Sequence, residues 1–175
     1  MDTRIDRMAE APGMLAHLVA DAADVVLDAR PADGGWSART VMAHLRDDEY
    51  LCMRVALERA LAEDSPELRF IDGADWEPAR NRTRERREWL LADFALHRQA
   101  SISILRALRP EDWQRSMRFG EDGHEFTVHQ LVDAWIRHDA EHIAQMEGLV
   151  GETVREVLAR RAQMTDWRTG RRAGA

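Results

Sequence analysis

Two histidines four positions apart are the residues of this chain best suited to carry chemistry. His138 and His142 flank the stretch Asp-Ala-Glu, and Gln145 follows three residues after the second. In a helix, positions i and i+4 lie on one face, one above the other. At that spacing two imidazoles can bind the same metal ion. The pattern therefore predicts a helix that presents two metal ligands.

A third histidine falls on another predicted helix. His44 lies among the apolar residues Val41 and Leu45, so it should face inward, and Asp48 shares its face one turn later. Three neutral imidazoles around a divalent ion leave open positions for water or substrate, which is the arrangement of a catalytic metal site. A histidine on an apolar stripe can also be an ordinary core residue, and the spacing alone leaves both interpretations open.

The same pair invites a different interpretation. Residues 138–142 match the H-x-x-E-H pattern of inverted zinc proteases, in which the acid activates a zinc-bound water. Those proteases are much larger chains and take a third ligand, a glutamate, from far downstream. Only 33 residues follow His142. We therefore disfavour a protease.

Composition excludes several other kinds of site. The chain has 175 residues, no lysine and one cysteine, Cys52. A Schiff-base lysine, a multi-cysteine zinc site and an intramolecular disulfide are thus excluded, and a metal site must use histidine and carboxylates. The net charge of −7 disfavours nucleic acid as a partner. No apolar run approaches the roughly 20 residues that span a bilayer, so we expect a cytoplasmic protein without membrane contact.

Helical periodicity dominates the elements that must position these residues. Helices are predicted over about 2–29 (interrupted near Pro12-Gly13), 38–63 (capped by Ser37), 81–108, 127–150 (ended by Gly151) and 152–165, with an irregular stretch at 65–80. Residues 117–119 and 125–126 should form a short hairpin around the turn at 121–123. We predict one all-α domain over 1–166, a four-helix bundle with a short extra C-terminal helix, and a disordered tail at 167–175.

Three stretches in this order resemble the DinB-like superfamily, also called DinB/YfiT-like. They are Trp36-Ser37, then the stretch 41–47 (VMAHLRD), then 138–145 with the pattern H-D-x-x-H-x-x-Q. The resemblance covers about 10–150. It implies an up-down-down-up bundle, often homodimeric, with a divalent metal such as zinc or nickel. The ligands carried over by this resemblance are His44, His138 and His142.

The resemblance also suggests an activity. Relatives of this kind include S-transferases that use bacillithiol or another low-molecular-weight thiol, a mycothiol-dependent maleylpyruvate isomerase, and members named for DNA-damage induction with no known activity. We expect a metal-dependent small-thiol S-transferase in detoxification or stress response, with a small electrophile and a thiol as its partners. The alternatives are a non-catalytic metal-binding stress protein and, less favoured, a metal-dependent hydrolase.

Three polar residues near the histidines are candidates for catalysis. Asp48 or Glu141 could hydrogen-bond a ligand imidazole or accept the thiol proton, and Gln145 could orient a water or the substrate. Each could equally be an ordinary polar residue of a helix surface.

Overall fold

Six α-helices make up most of the part of the chain described by the computed structural model, which covers residues 3–69, 85–119 and 123–169. They are α1 (Thr3–Val19), α2 (Asp24–Asp28), α3 (Ala38–Asp48), α4 (Arg54–Ala62), α5 (Arg87–Arg106) and α6 (Val128–Thr169). A π-helical turn, Glu49–Met53, joins α3 to α4, and a 3₁₀ turn, Asp112–Gln114, follows α5. No helix within the described ranges is long and apolar enough to cross a membrane.

Two apolar clusters, one at each end of the bundle, give the direction of every long helix. The first cluster includes Met8, Leu57, Leu105 and Leu131; the second includes Leu15, Val41, Leu90 and Met146. Along the sequence α1 and α6 therefore run from the first end to the second, whereas α3–α4 and α5 run the opposite way. This order is up-down-down-up, and the predicted all-α four-helix bundle is confirmed.

Helix α1 is continuous, so the predicted interruption near Pro12-Gly13 is wrong. Proline has no N–H to donate to the carbonyl four residues earlier, which here is Met8 O. That carbonyl accepts a hydrogen bond from Arg98 Nη1 at 3.0 Å instead. The chain breaks later, between Val19 and the start of α2. A partner from another helix thus compensates for the proline.

The second predicted helix contains an extra residue. Ser37 caps it as predicted, its hydroxyl accepting from Thr40 N at 3.2 Å. Val41 and Ala60 are both buried although they lie 19 residues apart, and five turns of α-helix take about 18 residues. The π-helical turn absorbs the surplus residue. Both ends of the helix consequently face the interior of the bundle, Val41 in the second apolar cluster and Ala60 in the first.

A small sheet closes the first end of the bundle. It has the order β1 (Glu67–Leu68), β2 (Ser116–Phe119), β3 (His124–Thr127), with β1 parallel to β2 and β2 antiparallel to β3. The predicted hairpin is confirmed, and Gly123 has a φ of +62° in its turn. Positions 120–122 of that turn lie outside the described residues. Strand β1 carries no sequence signal, because it is two residues long.

Helix α6 continues past its predicted end. We expected Gly151 to stop it and a separate helix to follow at 152–165, but one helix spans Val128–Thr169. Gly151 lacks the positive φ that a glycine cap requires, and an exposed glycine costs a helix only about 1 kcal/mol relative to alanine. The first three residues of the predicted tail are helical, while 170–175, like 70–84, lie outside the described residues.

Candidate metal centre

The first histidine of the site is placed by the capped start of α3. His44 lies two turns beyond the Ser37 cap and is 8% exposed. Trp36, just before the cap, packs on the second apolar cluster, and its ring centroid is 4.9 Å from that of His44. The hydrophobic residue before the cap therefore also forms a wall of the site, a role that the sequence pattern did not indicate.

The other two histidines are placed by the capped start of α6. Thr127 N donates to Gln130 Oε1 at 2.9 Å, and Gln130 N donates to Thr127 Oγ1 at 3.2 Å. This is the reciprocal capping box that the sequence predicts. From that start, His138 and His142 lie one turn apart with ring centroids separated by 4.5 Å.

The three imidazoles converge between α3 and α6. Nε2 of His44 lies 3.0 Å from Nε2 of His138. One nitrogen from each of His44, His138 and His142 can be chosen so that all three lie within 4.8 Å of one another. Bonds of 2.0–2.1 Å in a tetrahedral zinc site put ligand nitrogens about 3.3 Å apart. The structure thus brings the three predicted ligands together at a spacing close to what one ion requires.

The surroundings keep His138 neutral. Burial lowers the pKa of His138 to about 3, and repulsion from the other two imidazoles and from Arg98 acts in the same direction. A metal binds the neutral imidazole, so this ligand needs no deprotonation near pH 7. Protons therefore do not compete for His138 near neutral pH.

Asp48 is the carboxylate that the structure brings to the site. Its Oδ2 lies 3.6 Å from His138 Nε2, and the side chain is buried. Burial raises the pKa of Asp48, while a hydrogen bond from the Cys52 thiol and attraction by His142 act against that increase. The structure thus places the carboxylate beside the histidine cluster, and its catalytic role stays a prediction.

Gln145 and Glu141 differ in their relation to the cluster. Gln145 is exposed, but its Oε1 accepts from His142 Nδ1 at 2.9 Å. Since Nδ1 carries the proton in this contact, Nε2 of His142 has the lone pair that can bind a metal. Glu141 is exposed and is not among the residues whose donor atoms converge. A catalytic role for Glu141 stays a prediction that the geometry does not support.

A buried ionic cluster beneath the histidines was not anticipated from the sequence. Arg98 is 1% exposed and bonds to Glu49 and Asp139, which are 1% and 4% exposed. Charged residues are mostly exposed, so a single sequence gives no signal that these three are buried. The one available hint is that Asp139 lies between the paired histidines.

The donor set fits a divalent transition metal. Three imidazole nitrogens suit zinc or nickel, and the site includes no thiolate ligand. Three protein ligands also leave at least one position open, as catalytic zinc sites do. The residues present can therefore hold the ion that the sequence led us to expect; their role as ligands stays a prediction.

Comparison with known proteins places the chain among metal-dependent relatives. A model of the DinB superfamily matches residues 7–146. A protein of Oceanobacillus iheyensis, named as a candidate metal-dependent hydrolase, is 26% identical over 145 residues, 83% of each chain. YfiT of Bacillus subtilis bears the same kind of name and is 26% identical over 149 residues, 85% of this chain and 83% of YfiT.

A solved structure shares the fold. That structure, of YfiT from Bacillus subtilis, is described as a probable metal-dependent hydrolase with an unusual four-helix bundle topology. It superposes with a TM-score of 0.78 at 24% identity, covering 89% of this chain and 86% of YfiT. The likeness at this identity establishes the four-helix fold and leaves the reaction open.

Proposed function

The chain belongs to the DinB superfamily, and from that premise we propose that it is a metal-dependent small-thiol S-transferase acting in detoxification or stress response. The observation that carries the proposal is the convergence of three imidazoles between α3 and α6. His44, His138 and His142 would hold the ion. When bound, a divalent ion such as zinc or nickel lowers the pKa of a thiol that reaches its open position.

The chain's own residues would divide the remaining work. Gln145 accepts a hydrogen bond from Nδ1 of His142, which would leave Nε2 available to hold the ion. Asp48 would take the proton from the thiol, since its carboxylate is buried beside His138 and its pKa is raised, which makes it a stronger base. The face of Trp36, beside His44 and His142, would pack against an apolar part of the substrate.

The reaction balances without any further reactant. The thiol sulfur forms a bond to the electrophilic carbon of the substrate, and the bond to the leaving group breaks with its electron pair. Asp48 passes the thiol proton to that leaving group or to solvent. The products are a thioether and either the protonated leaving group or its anion with the proton in solvent, so no oxidant or reductant is consumed.

A second candidate is a metal-dependent hydrolase. It is favoured by the names of the relatives, which describe this activity, and by the fact that the same three histidines could serve a water nucleophile. In that case Asp48 would accept the proton of water rather than of a thiol. A non-catalytic metal-binding protein would keep the histidines and show neither reaction.

One assay separates the three possibilities. Protein loaded with Zn²⁺ or Ni²⁺ is incubated with monochlorobimane or chlorodinitrobenzene, with and without bacillithiol or mycothiol, and separately with p-nitrophenyl acetate. Conjugation that requires both thiol and metal, and that His142→Ala abolishes, supports the transferase. Thiol-independent ester cleavage with the same dependence supports the hydrolase. Bound metal with neither activity across the panel would overturn both enzymatic proposals.

A further inference from the structure

One buried arginine, on one long helix of the bundle, makes hydrogen bonds to the three remaining long helices. Arg98, on α5, donates from Nη1 to Met8 O of α1 at 3.0 Å. Its Nε donates to Glu49 Oε2 at 2.8 Å, where α3 passes into the π-helical turn, and its Nη2 donates to Asp139 Oδ1 of α6 at 3.0 Å. A single guanidinium thus joins α1, the helix that carries His44 and the helix that carries His138.

Both carboxylates that Arg98 binds lie close in sequence to the predicted metal ligands. Glu49 is five residues after His44, and Asp139 directly follows His138. Glu49 also accepts from Ser101 Oγ at 2.6 Å and from Trp135 Nε1 at 3.0 Å. The donors therefore fix the Glu49 carboxylate from α5 and from α6 at once.

Such a cluster constrains geometry more than it adds stability. Moving charges out of water is costly, and buried ion pairs often stabilise a protein no more than well-packed apolar residues do. A guanidinium, however, binds carboxylates in a rigid, directional fork, whereas apolar side chains can slide past one another. The bonds from Arg98 to Glu49 and Asp139 therefore fix the distance between α3 and α6 at the level of the histidines.

We infer that Arg98 is a positioning residue for the metal centre. Through Glu49 and Asp139 it holds the two histidine-bearing helices at the separation that leaves the Nε2 atoms of His44 and His138 3.0 Å apart. The inference rests on the metal site of the proposed function but not on the reaction performed there. It concerns metal affinity and coordination geometry, and it makes no claim about turnover.

The test replaces Arg98 with lysine, which keeps the positive charge but lacks the planar set of donors that binds Glu49 and Asp139 together. Co²⁺ is titrated into metal-free protein, and both the dissociation constant and the visible absorption bands are recorded. We expect Arg98→Lys to weaken Co²⁺ binding about tenfold or more, as loss of a group that orients metal ligands does, and to alter the bands. Circular dichroism restricts the comparison to folded protein.

A second buried arginine serves as a control for the general loss of stability that removing a buried ion pair can cause. Arg39 is also buried, at 7% exposure, and is paired with two carboxylates, Asp24 and Asp28. Those carboxylates lie on α2, so Arg39, although it is on α3 with His44, does not join α3 to α6. Arg39→Lys should lower the melting temperature yet leave the Co²⁺ bands and affinity as they are in the unchanged protein.

A milder pair of variants keeps the test decisive if Arg98→Lys does not fold. Ser101→Ala removes one of the hydroxyl and N–H groups that donate to the Glu49 carboxylate. Ser103→Ala is the control, because it removes an exposed hydroxyl of the same helix that donates to Gln99 O. We expect weaker Co²⁺ binding for the first and unchanged binding for the second.

The outcomes separate this inference from the proposed function. The positioning role would be overturned if Ser101→Ala and Arg98→Lys bound Co²⁺ with the affinity and spectrum of the unchanged protein. It would also be overturned if Arg39→Lys lost as much Co²⁺ affinity as Arg98→Lys. Either result would leave the proposed activity standing. Normal Co²⁺ binding without any turnover would overturn the activity and leave the positioning role standing. Absence of Co²⁺ binding by the unchanged protein would overturn both.

Discussion

Replacing Gln145 with alanine should weaken metal binding by a modest and calculable factor. The side chain is exposed and makes one hydrogen bond to the cluster, from His142 Nδ1 to its Oε1 at 2.9 Å. Loss of a partner that hydrogen-bonds a metal-ligating histidine typically weakens metal affinity by roughly 10–100-fold, and for an exposed, neutral amide we expect about tenfold. Gln145→Glu should instead strengthen metal binding, since a carboxylate acceptor makes the ligating imidazole more basic.

The assay is competition for Zn²⁺ against a chromogenic chelator at pH 7.5, with circular dichroism to verify that each variant is folded. Gln99→Ala is the matched control, because Gln99 is an exposed glutamine on α5 without a side-chain contact to the histidines. The reasoning is refuted if Gln145→Ala binds Zn²⁺ as the unchanged protein does, or if Gln99→Ala shifts the affinity as far. Weaker binding by Gln145→Glu than by Gln145→Ala would refute the electrostatic part.

Four further predictions follow from the same structure. Alanine at His44, His138 or His142 should reduce the metal retained after dialysis from about one ion per chain to a small fraction, as measured by elemental analysis. In metal-free protein the free energy of unfolding should rise with pH between about 3 and 6.5, since unfolded His138 binds a proton that the folded form, with its pKa of about 3, does not; urea titrations measure this. Thr127→Ala removes a cap and should cost about 1 kcal/mol, lowering the melting temperature by about 2–4 °C. Gly151→Ala should stabilise α6 by about 1 kcal/mol and slow amide exchange beyond residue 151.

Each of these predictions has a result that contradicts it. Unchanged metal content in all three histidine variants would remove the site. An unchanged pH slope in His138→Gln would show that this imidazole is not the group responsible. A Thr127→Ala variant as stable as the original would mean that the capping box has no energetic role. Destabilisation by Gly151→Ala would indicate a left-handed backbone there, as a helix stop requires.

The parts of the fold that sequence predicted are those with local causes. The Ser37 cap, the Thr127–Gln130 capping box and the hairpin each depend on residues within a few positions of one another. The continuity of α1 through Pro12 depends on Arg98, which is distant in sequence. A pattern within one helix cannot indicate a partner supplied by another.

The same distinction applies to the site. His138 and His142 could be found from their spacing, and His44 from its apolar neighbours together with the family resemblance. The Glu49–Arg98–Asp139 cluster could not be found, since its members come from three elements and each resembles an ordinary surface charge. Gln145 could be placed on the correct face, but its contact with His142 Nδ1 required the side-chain geometry.

The π-helical turn between α3 and α4 has a consequence for how this helix can change in evolution. Residues Glu49–Met53 hold one residue more than an α-helix of the same length would. Deleting one residue there would leave both His44 and Ala60 facing the interior of the bundle, whereas a deletion elsewhere in the helix would rotate one end by about 100°. Homologues that differ by a single-residue gap in this helix should therefore carry the gap at 49–53. A homologue without the gap should keep a carboxylate at the Glu49 position wherever it keeps the arginine.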